Sequence, residues 1–517
     1  MRTFIAALLI GAAGLSFGPA DDCALTLELV DAKTGEPLWG VVSIDGRPLP
    51  ELQARGLGVA KDKAITRWSV LPERATVRVP RGKLAVEAFR GLETRITRVE
   101  ADTTGRAEAY LKIGLIRFHD AGAAGWRAGN THLHLQKVTR EEADRYLREV
   151  PRADALEAVF LSHLERADDD RAYVSNGYTA DDLRGLSKTG VVFGNGEEHR
   201  HNFTPFGEGY GHVMFLDIQK LIRPVSVGFG ITKQGTDGTP LSRGIDEAKK
   251  DGATILWCHN DFGHEKIAAW ARGRLDAMNI FDGGVHGSYR HTFYRYLNAA
   301  MRVPFSTGTD WFIYDFSRVY VRLPAPFTVK DFLRELAAGK SFITNGPFLD
   351  FKAGGREIGD TLRLDKPGKV TCLGRAVGRV DFRRIELIRN GEVVATADSR
   401  PRAGEFEAKL DVEIDLSEPG WLALRTPPPP VKDDPEFQDP VPLNEYGEPL
   451  FGHTSPIYAK IDGMALVKQS AVLGLIEELA RSRETVSRTG TFGEGEREAV
   501  LRVYDEGLAA LRKLLNK

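Results

Sequence analysis

Two histidines, His132 and His134, lie two residues apart in the sequence Gly-Asn-Thr-His-Leu-His-Leu-Gln at residues 129–136. Side chains alternate between the faces of a β-strand, so a strand here would direct both imidazoles to one face. Two neutral imidazoles so arranged can bind one ion, with zinc–nitrogen distances of about 2.0–2.1 Å. The alternative is a half-buried strand with two hydrogen-bonded histidines. The metal site is favoured because eleven of the twelve histidines lie between residues 119 and 291.

Several apolar runs in this region end in side chains that can bind metal or transfer a proton. The runs 156–161, 191–194, 253–258, 277–281 and 303–306 lead into Ser162-His163, Asn195 to His199, His259-Asn260, Asp282-Gly283 and Thr307 to Asp310, respectively. They alternate with longer amphipathic stretches, which is typical of an α/β domain. In barrel enzymes the loops at the carboxyl ends of the strands converge on the active site. The sequence therefore predicts an α/β domain from about residue 120 to 345 with a polar site at one end.

Other polar residues in this region have less specific patterns. His212 enters an apolar strand behind two glycines, which suits a metal ligand as well as a structural histidine. His199 and His201 flank Arg200 in a polar segment and are predicted at the rim of the site. Arg318 is predicted either to contact an anion or to form a buried ion pair.

Six motifs occur in order along the chain. They are Gly-x-Thr-His-Leu-His at 129–134, Gly-Glu-Glu-His at 196–199, Gly-Tyr-Gly-His-Val at 209–213, Trp-Cys-His-Asn-x-x-Gly at 257–263, Ile-Phe-Asp-Gly at 280–283 and Gly-Thr-Asp-Trp-Phe at 308–312. Together they resemble the CehA/McbA metallohydrolase family, which belongs to the polymerase-and-histidinol-phosphatase (PHP) superfamily of metal-dependent hydrolases. The resemblance covers about residues 115–350 and continues more weakly towards residue 458.

The resemblance implies a PHP-like distorted (β/α)7 barrel whose metal ligands are His132, His134, Glu198, His212, His259 and Asp310. The chain departs from the superfamily pattern twice. Ser162-His163 stands where Asp-His is common, and Asp310-Trp311-Phe312 stands where Asp-x-His is common. The second departure removes a ligand for a third ion, so one or two ions are expected. Zinc is the simplest choice for this many imidazoles, and iron or manganese suits mixed nitrogen and oxygen ligands.

The expected function is an exported hydrolase that uses a metal-activated water on an ester, carbamate or amide bond. One ion would be held by His132, His134 and Asp310, and a second by His212 and His259.

Three further roles are expected in catalysis. Glu198 would bridge the ions or act as general base, His163 would be a ligand or proton shuttle, and Arg318 would contact the substrate. One alternative is a PHP-type phosphoesterase in which Arg200 and Arg318 bind phosphate. Another is a non-catalytic exported binding protein that retains metal for structure.

Short apolar runs separated by turn signals flank the predicted barrel. The expected organisation is a signal peptide at 1–20, a β-sandwich at 21–115, the barrel at 116–346, a second β-sandwich at 347–463 and C-terminal helices at 464–517. The first sandwich resembles transthyretin-like or carboxypeptidase-regulatory modules, and the second contains a proline-rich loop at 426–449. The C-terminal helices are amphipathic and leucine-rich, which predicts either a cap on the barrel or a homodimer contact.

Composition and the first residues indicate location and partners. A formal net charge of −2 gives no basic field for nucleic acid, so a small-molecule substrate is expected. The signal peptide is predicted from Arg2, the apolar run 4–10 and the small residues up to Ala20. Its cleavage near Ala20 would give a periplasmic or extracellular protein. No later run reaches the roughly 20 apolar residues of a transmembrane helix. Three cysteines do not make a disulfide framework, although one pair could form outside the cytoplasm.

Overall fold

The computed structural model describes residues 22–57, 64–166, 173–203, 208–284, 287–429, 442–464 and 467–515. Within these ranges the protein is a mixed α/β structure rich in strands, with a curled central sheet and further sheets beside it. The mixed α/β class predicted from the sequence is confirmed. The predicted signal peptide at 1–20 lies outside the described residues, as do residues 430–441 of the predicted proline-rich loop.

Two sheets form the N-terminal part of the chain. Their strands are β1 (Asp22–Asp31), β2 (Gly40–Ile44), β3 (Gln53–Ala54), β4 (Ser69–Leu71), β5 (Arg74–Pro80), β6 (Lys83–Phe89), β7 (Thr97–Asp102) and β8 (Glu108–Leu115). One sheet has the order β5-β1-β8 and the other the order β3-β4-β2-β6-β7. Alternate residues of β1, including Leu25 and Leu27, share a buried apolar cluster with Val42 and Val86 of the second sheet. The two sheets thus pack face to face.

The central sheet begins with β9 (Trp126–His134), whose residues are all buried. Its other strands are β10 (Ala158–His163), β11 (Val192–His201), β12 (Gly211–Leu216), β13 (Ser226–Val227), β14 (Thr254–Trp257), β15 (Ala277–Asn279), β16 (Phe305–Ser306), β17 (Asp310–Trp311), β18 (Arg318–Arg322) and β19 (Ser341–Thr344). The helices between them are α1 (Arg140–Ala153), α2 (Ala180–Ser187), α3 (Phe229–Thr232), α4 (Leu241–Lys250), α5 (Lys266–Ala271), α6 (Arg295–Asn298) and α7 (Val329–Ala337). Short 3₁₀ helices span Ala64–Arg67, Val174–Gly177, His259–Asp261 and Asp282–Gly284, and a π-helix spans Arg290–Tyr294.

Parallel pairing dominates the part of this sheet that carries the polar strand ends. β9 pairs with β10, β10 with β11, β14 with β15 and β15 with β16 in parallel, while β12 lies antiparallel between β11 and β14. After β16 the chain returns to β9, where Thr131 N donates to Thr307 O at 3.4 Å and Thr309 N donates to His132 O at 3.1 Å. The sheet therefore curls back on its first strand, and the carboxyl ends of its parallel strands face a common space.

Threonine capping boxes fix the start of three helices in this region. Thr139, Thr179 and Thr328 precede α1, α2 and α7, and each hydroxyl accepts a hydrogen bond from the backbone N–H three residues later. The acidic side chain at that later position accepts in turn from the threonine N–H. These bonds satisfy donors that have no partner within the helix and set where each loop ends.

The strands after β19 form one further sheet and extend the central sheet. They are β20 (Phe348–Ala353), β21 (Arg356–Glu357), β22 (Thr361–Leu364), β23 (Gly368–Gly378), β24 (Arg384–Arg389), β25 (Glu392–Asp398), β26 (Arg400–Arg402), β27 (Glu405–Leu416), β28 (Gly420–Arg425), β29 (Gly452–Thr454) and β30 (Ile457–Ile461). One sheet has the order β21-β20-β23-β27-β26, and the remaining strands join the central sheet through antiparallel pairing of β19 with β29. The predicted second sandwich therefore shares a sheet with the predicted barrel.

The two C-terminal helices, α8 (Gln469–Thr489) and α9 (Glu496–Leu514), pack against each other and against α5. Leu475, Leu479 and Leu511 are buried in the same apolar cluster as the central strands. Gly507 allows close approach, because a Cβ atom there would lie 2.9 Å from Cβ of Ala268 on α5. This packing fits the predicted cap, while the homodimer contact stays a prediction. No helix in the described ranges is long and apolar enough to cross a membrane.

Candidate metal centre

Hydrogen bonds fix the rings of His132 and His134 at the carboxyl end of β9. Nδ1 of His134 lies 2.9 Å from the carbonyl oxygen of Ser162, and Nδ1 of His132 lies 2.8 Å from Oδ2 of Asp282. Because both partners are acceptors, each Nδ1 carries the hydrogen. In the neutral rings both Nε2 atoms are then acceptors, yet they lie only 3.0 Å apart. Two lone pairs at that distance repel unless a proton or a metal ion lies beside them.

Glu198, on β11, directs its two carboxylate oxygens to different imidazoles. Oε2 lies 3.0 Å from Nε2 of His134. Oε1 lies 3.1 Å from Nδ1 of His212 and 3.6 Å from Nε2 of His259. The carboxylate therefore stands between two sets of ring nitrogens and has one oxygen for each.

Asp282 orients two of these rings from the end of β15. Its Oδ1 lies 3.0 Å from Nδ1 of His259 and accepts the His259 backbone N–H at 3.0 Å, while its Oδ2 contacts His132. Nε2 of both rings is left directed towards Glu198. Histidines that bind metal commonly donate their other N–H to a carboxylate in this way, which fixes the tautomer.

Asp310 completes the cluster from β17. Its Oδ1 lies 3.4 Å from Nε2 of His132 and 3.6 Å from Nε2 of His134. This oxygen is buried and accepts no hydrogen bond from the described residues. Asp310 and His259 both have left-handed backbones, with φ of 56° and 54°. Such conformations are sparsely populated and are often found at functional sites, where the surrounding structure holds them in place.

Three overlapping groups of these side chains could each hold a metal ion. The groups are His132, His134, Glu198 and Asp310; His132, His259 and Asp282; and Glu198, His212 and His259, with the ligand atoms of each group within 4.8 Å of one another. The converging atoms are ring nitrogens with lone pairs and carboxylate oxygens, and they include the acceptor of Asp310 that lacks a donor. A divalent cation fits this donor set. Imidazole and carboxylate together suit zinc, iron or manganese.

The electrostatics of the cluster also favour a cation. Three carboxylates, those of Glu198, Asp282 and Asp310, meet one guanidinium among the described residues, that of Arg200, whose Nη1 lies 3.3 Å from both oxygens of Glu198. Burial disfavours a charged imidazole at His132, but the carboxylates of Asp310 and Asp282 outweigh burial and raise its pKa well above the ordinary value. With neutral imidazoles, two carboxylates would lack a counter-charge.

The pKa values of His259 and His212 shift in opposite directions. Burial is again the largest influence on His259, but Asp282 overrides it and raises the pKa well above the ordinary value. Burial and the Arg200 cation lower the pKa of His212 to about 3. His212 is therefore neutral at physiological pH, as a metal ligand must be.

His163 lies outside this cluster. On β10 it is paired with Glu197, which lies on the face of β11 opposite Glu198. Its Nε2 lies 3.1 Å from Oε1 of Glu165, which also accepts a hydrogen bond from Arg223. The predicted roles of His163 as ligand or proton shuttle gain no support from this position.

Arg318 also lies away from the cluster. On β18 its neighbour Val319 is paired with Gly129, three residues before His132 on β9, and the side chain is directed to other partners. The guanidinium donates to the carbonyl oxygens of Phe316 at 2.9 Å and Asp154 at 2.7 Å. The side chain is buried among backbone acceptors, so the predicted substrate contact does not fit its place in the fold.

The second His-x-His pair is buried, not at the rim as predicted. His199 and His201 are fully buried and contact the carboxylates of Glu197 and Asp237 at 3.0 Å and 2.9 Å. Both belong to β11, which runs further than the predicted strand and includes the segment taken as a polar loop. Arg200, between them, faces the cluster through its contact with Glu198.

Asp282 was not among the predicted site residues. The sequence signal was present, because Asp282 directly follows an apolar run, as His259 and Asp310 do. What the sequence could not reveal is that Asp282 contacts His132, which lies 150 residues earlier in the chain.

Gly308→Ala is expected to displace His132 and weaken metal binding. A Cβ atom at residue 308 would lie 2.6 Å from both Cβ and the backbone nitrogen of His132, which cannot move without shifting β9. Overpacking of this kind costs about 1–3 kcal/mol. Thermal unfolding and metal content after dialysis measure the effect. The control is Gly474→Ala, in open space on α8, which should match or slightly exceed the wild-type Tm. Wild-type metal content and Tm in Gly308→Ala would contradict this account of the glycine.

In comparisons with known proteins, no family model, curated protein or solved structure matches this chain.

Proposed function

We propose that this chain is an exported metal-dependent hydrolase of the CehA/McbA type, acting on an ester, carbamate or amide bond. The observation that carries the proposal is the convergence of acceptor atoms from His132, His134, Glu198, His212, His259 and Asp310 on one buried space. Ring tautomers fixed by Asp282 and the Ser162 carbonyl direct lone pairs inwards, which is an arrangement suited to holding cations.

A PHP-like (β/α)7 barrel is the fold we propose for the central region. It is supported by the parallel pairs β9–β10, β10–β11, β14–β15 and β15–β16 and by the return of the chain to β9. β12 is antiparallel, and the helices between β14 and β16 are few and short. Both features depart from a regular β/α repeat, as expected for a distorted barrel. The side chains that could bind metal lie at the carboxyl ends of these strands, which is where the active sites of barrel enzymes are found.

Zinc is the metal we propose, with iron or manganese as the alternatives, and two ions are favoured over one. Support for two ions comes from Glu198, because its Oε1 and Oε2 face separate imidazole pairs and a carboxylate can bind one ion through each oxygen. When bound, a divalent ion acidifies water and polarises the oxygen of a scissile carbonyl or phosphoryl group.

The chain's own residues define how a substrate would approach. The side chains of His212, Asp310 and His259 retain 11–15 % exposure, whereas those of His132, His134 and Glu198 have at most 1 %. The substrate would therefore reach the cluster from the side of His212, His259 and Asp310. Arg200, whose side chain is 9 % exposed, is placed to stabilise negative charge that develops beside Glu198.

A phosphoesterase is the second candidate function. A phosphate reader usually needs several cationic groups around the anion. Within the described ranges the cluster has the guanidinium of Arg200, while Arg318 is occupied elsewhere. This charge pattern favours a neutral ester, carbamate or amide over a phosphate dianion.

The test is turnover of a zinc-loaded chain on 4-nitrophenyl acetate, an aryl carbamate and 4-nitrophenyl phosphate, each with and without a chelator. We expect chelator-sensitive hydrolysis of an acyl substrate that exceeds phosphate hydrolysis. Arg200→Met should lower kcat on the acyl substrate by about 10²-fold, the usual loss when a charge-stabilising donor is removed. Arg223→Met removes an exposed arginine outside the cluster and should leave kcat unchanged.

Other outcomes of this test would select the alternatives. Faster hydrolysis of the phosphate, abolished by Arg200→Met, would favour the phosphoesterase. A metal-loaded chain inert on all three substrates would favour an exported binding protein that keeps metal for structure. Export itself is proposed from the predicted signal peptide at 1–20, and a small-molecule substrate from the enclosed cluster and the near-neutral charge.

A further inference from the structure

Arg55 is a buried arginine that reaches from the N-terminal sheets into the central region. It directly follows β3, where its backbone N–H donates to Trp68 O at 2.9 Å, and its side chain is completely buried. Nε lies 3.0 Å from Oδ1 of Asp154 at the end of α1, and Nη2 makes a close ion pair with Oδ2. The fork-shaped guanidinium thus engages both oxygens of one carboxylate, a geometry that lysine cannot reproduce.

The rest of the guanidinium binds the loop that follows Asp310. Nη1 donates to the carbonyl oxygen of Ile313, and Nη2 donates to that of Asp315 at 3.3 Å. From the barrel side, the hydroxyl of Tyr146 on α1 accepts the Ile313 N–H at 2.9 Å. Ile313, three residues after Asp310, is therefore held at both its N–H and its carbonyl oxygen.

The loop after Asp310 requires these contacts because its conformation determines the position of Asp310, a candidate metal ligand. Asp310 and Phe312 both have left-handed backbones, with φ of 56° and 51°. Between them the Trp311 ring packs on His134 with centroids 5.2 Å apart, and Phe312 N donates to His134 O at 3.0 Å. A left-handed backbone at a non-glycine residue costs of order 1–3 kcal/mol. The contacts around Asp310 and Phe312 must therefore hold this conformation.

We infer that Arg55 is a positioning residue for the metal centre, and that the N-terminal sheets act on the site by holding the Asp310 loop. The inference rests on the proposed function in one respect, since it takes Asp310 as a metal ligand. It gives the N-terminal sheets a part in positioning the site, because Arg55 binds the carbonyl oxygen of Ile313 while Tyr146 binds its N–H. Loss of the guanidinium would let Asp310 and Trp311 relax away from His132 and His134.

The experiment measures Co²⁺ affinity and the visible spectrum of Co²⁺-loaded full-length chains. Arg55→Lys keeps a positive charge near Asp154. A lysine cannot bind both oxygens of Asp154 and also donate to the carbonyl oxygens of Ile313 and Asp315. Tyr146→Phe removes only the hydroxyl that holds Ile313 N. The control is Arg95→Lys, the same substitution in the same module, at an arginine paired with Glu405 away from the loop. Circular dichroism establishes that each variant is folded at the measuring temperature.

Arg55→Lys is expected to raise the Co²⁺ dissociation constant of one ion by about 10–100-fold, the usual effect of altering groups that orient metal ligands. Its Co²⁺ spectrum should shift, because the ligand set changes, and Tyr146→Phe should move both readouts less in the same direction. Arg95→Lys should match wild type even if its Tm falls. Folded Arg55→Lys with wild-type affinity and spectrum would overturn the inference. If Arg55→Lys does not fold, wild-type Co²⁺ affinity in Tyr146→Phe would overturn it.

Co²⁺ binding distinguishes failure of the proposed function from failure of the positioning role. A wild-type chain that binds no Co²⁺ would overturn the proposed metal-dependent function and this inference with it. Wild-type binding that Arg55→Lys retains in full would overturn the positioning role alone and leave the metal centre intact.

Discussion

Glu198→Gln is expected to lower metal content and turnover together. Each oxygen of Glu198 faces its own imidazoles, His134 on one side and His212 with His259 on the other. Glutamine keeps the shape of the side chain but loses the negative charge that would hold two cations close. We therefore expect the dialysed variant to retain about one ion fewer than wild type and to lose at least about 10²-fold in kcat. Elemental analysis and acyl-substrate turnover on the same preparation measure both quantities.

A single-ion centre would give a different result. If Glu198 is instead a general base, kcat should fall by about 10²–10⁴-fold while the metal stays bound. The control is Glu197→Gln, a buried neighbour on the other face of β11 whose carboxylate accepts the Ile222 N–H at 2.7 Å and contacts His199. Glu197→Gln should keep wild-type metal content. Greater damage from Glu197→Gln than from Glu198→Gln would contradict the choice of carboxylate.

Alternation and strand ends are the sequence features that best anticipated the site. The period of two along residues 131–135 correctly separated His132 and His134 from Leu133 and Leu135, which join an apolar cluster. The same period separated Glu198 from Glu197. These patterns depend only on local backbone geometry, which a strand imposes on neighbouring residues whatever the rest of the chain does.

Contacts between distant segments could not be anticipated in this way. Asp282 orients His132 from 150 residues away, and Arg55 reaches Ile313 across 258 residues. His199 and His201 looked like loop residues because their segment is polar, yet Glu197 and Asp237 pair with them and allow their burial. A polar strand buried by partners from other elements has the local composition of a surface loop.

The boundaries between the sheets could not be predicted from local sequence patterns either. β19 and β29 are far apart in the chain, and only their pairing shows that one sheet continues from the central region into the C-terminal part. The amphipathic pattern of α8 would include Leu473 in its apolar face, but Leu473 is 48 % exposed, while Leu475 and Leu479 are buried. Helical periodicity indicates where the apolar face of α8 lies. Packing of α8 against α5 and α9 determines which residues at the edge of that face are buried.

His132→Ala is expected to remove more metal than His134→Ala. His132 is hydrogen-bonded to Asp282, which also orients His259, whereas His134 is hydrogen-bonded to the backbone carbonyl of Ser162. The His132 substitution also leaves Oδ2 of Asp282 without its N–H donor, so the carboxylate that orients His259 is released on one side. We expect His132→Ala to retain little metal after dialysis and His134→Ala to retain the ion held through His212 and His259. Elemental analysis against wild type, at a temperature where both variants are folded, measures the difference.

The matched control is His163→Ala, a histidine at the end of the neighbouring strand β10 that contacts Glu165 and belongs to none of the groups found among the described residues. It should keep wild-type metal content, because its side chain is on the face of β10 opposite the cluster. Loss of metal from His163→Ala would mean that a further ligand lies on that face. Wild-type metal content in His132→Ala would refute the centre itself, since no arrangement of the remaining groups leaves both candidate ions their full ligand sets without this ring.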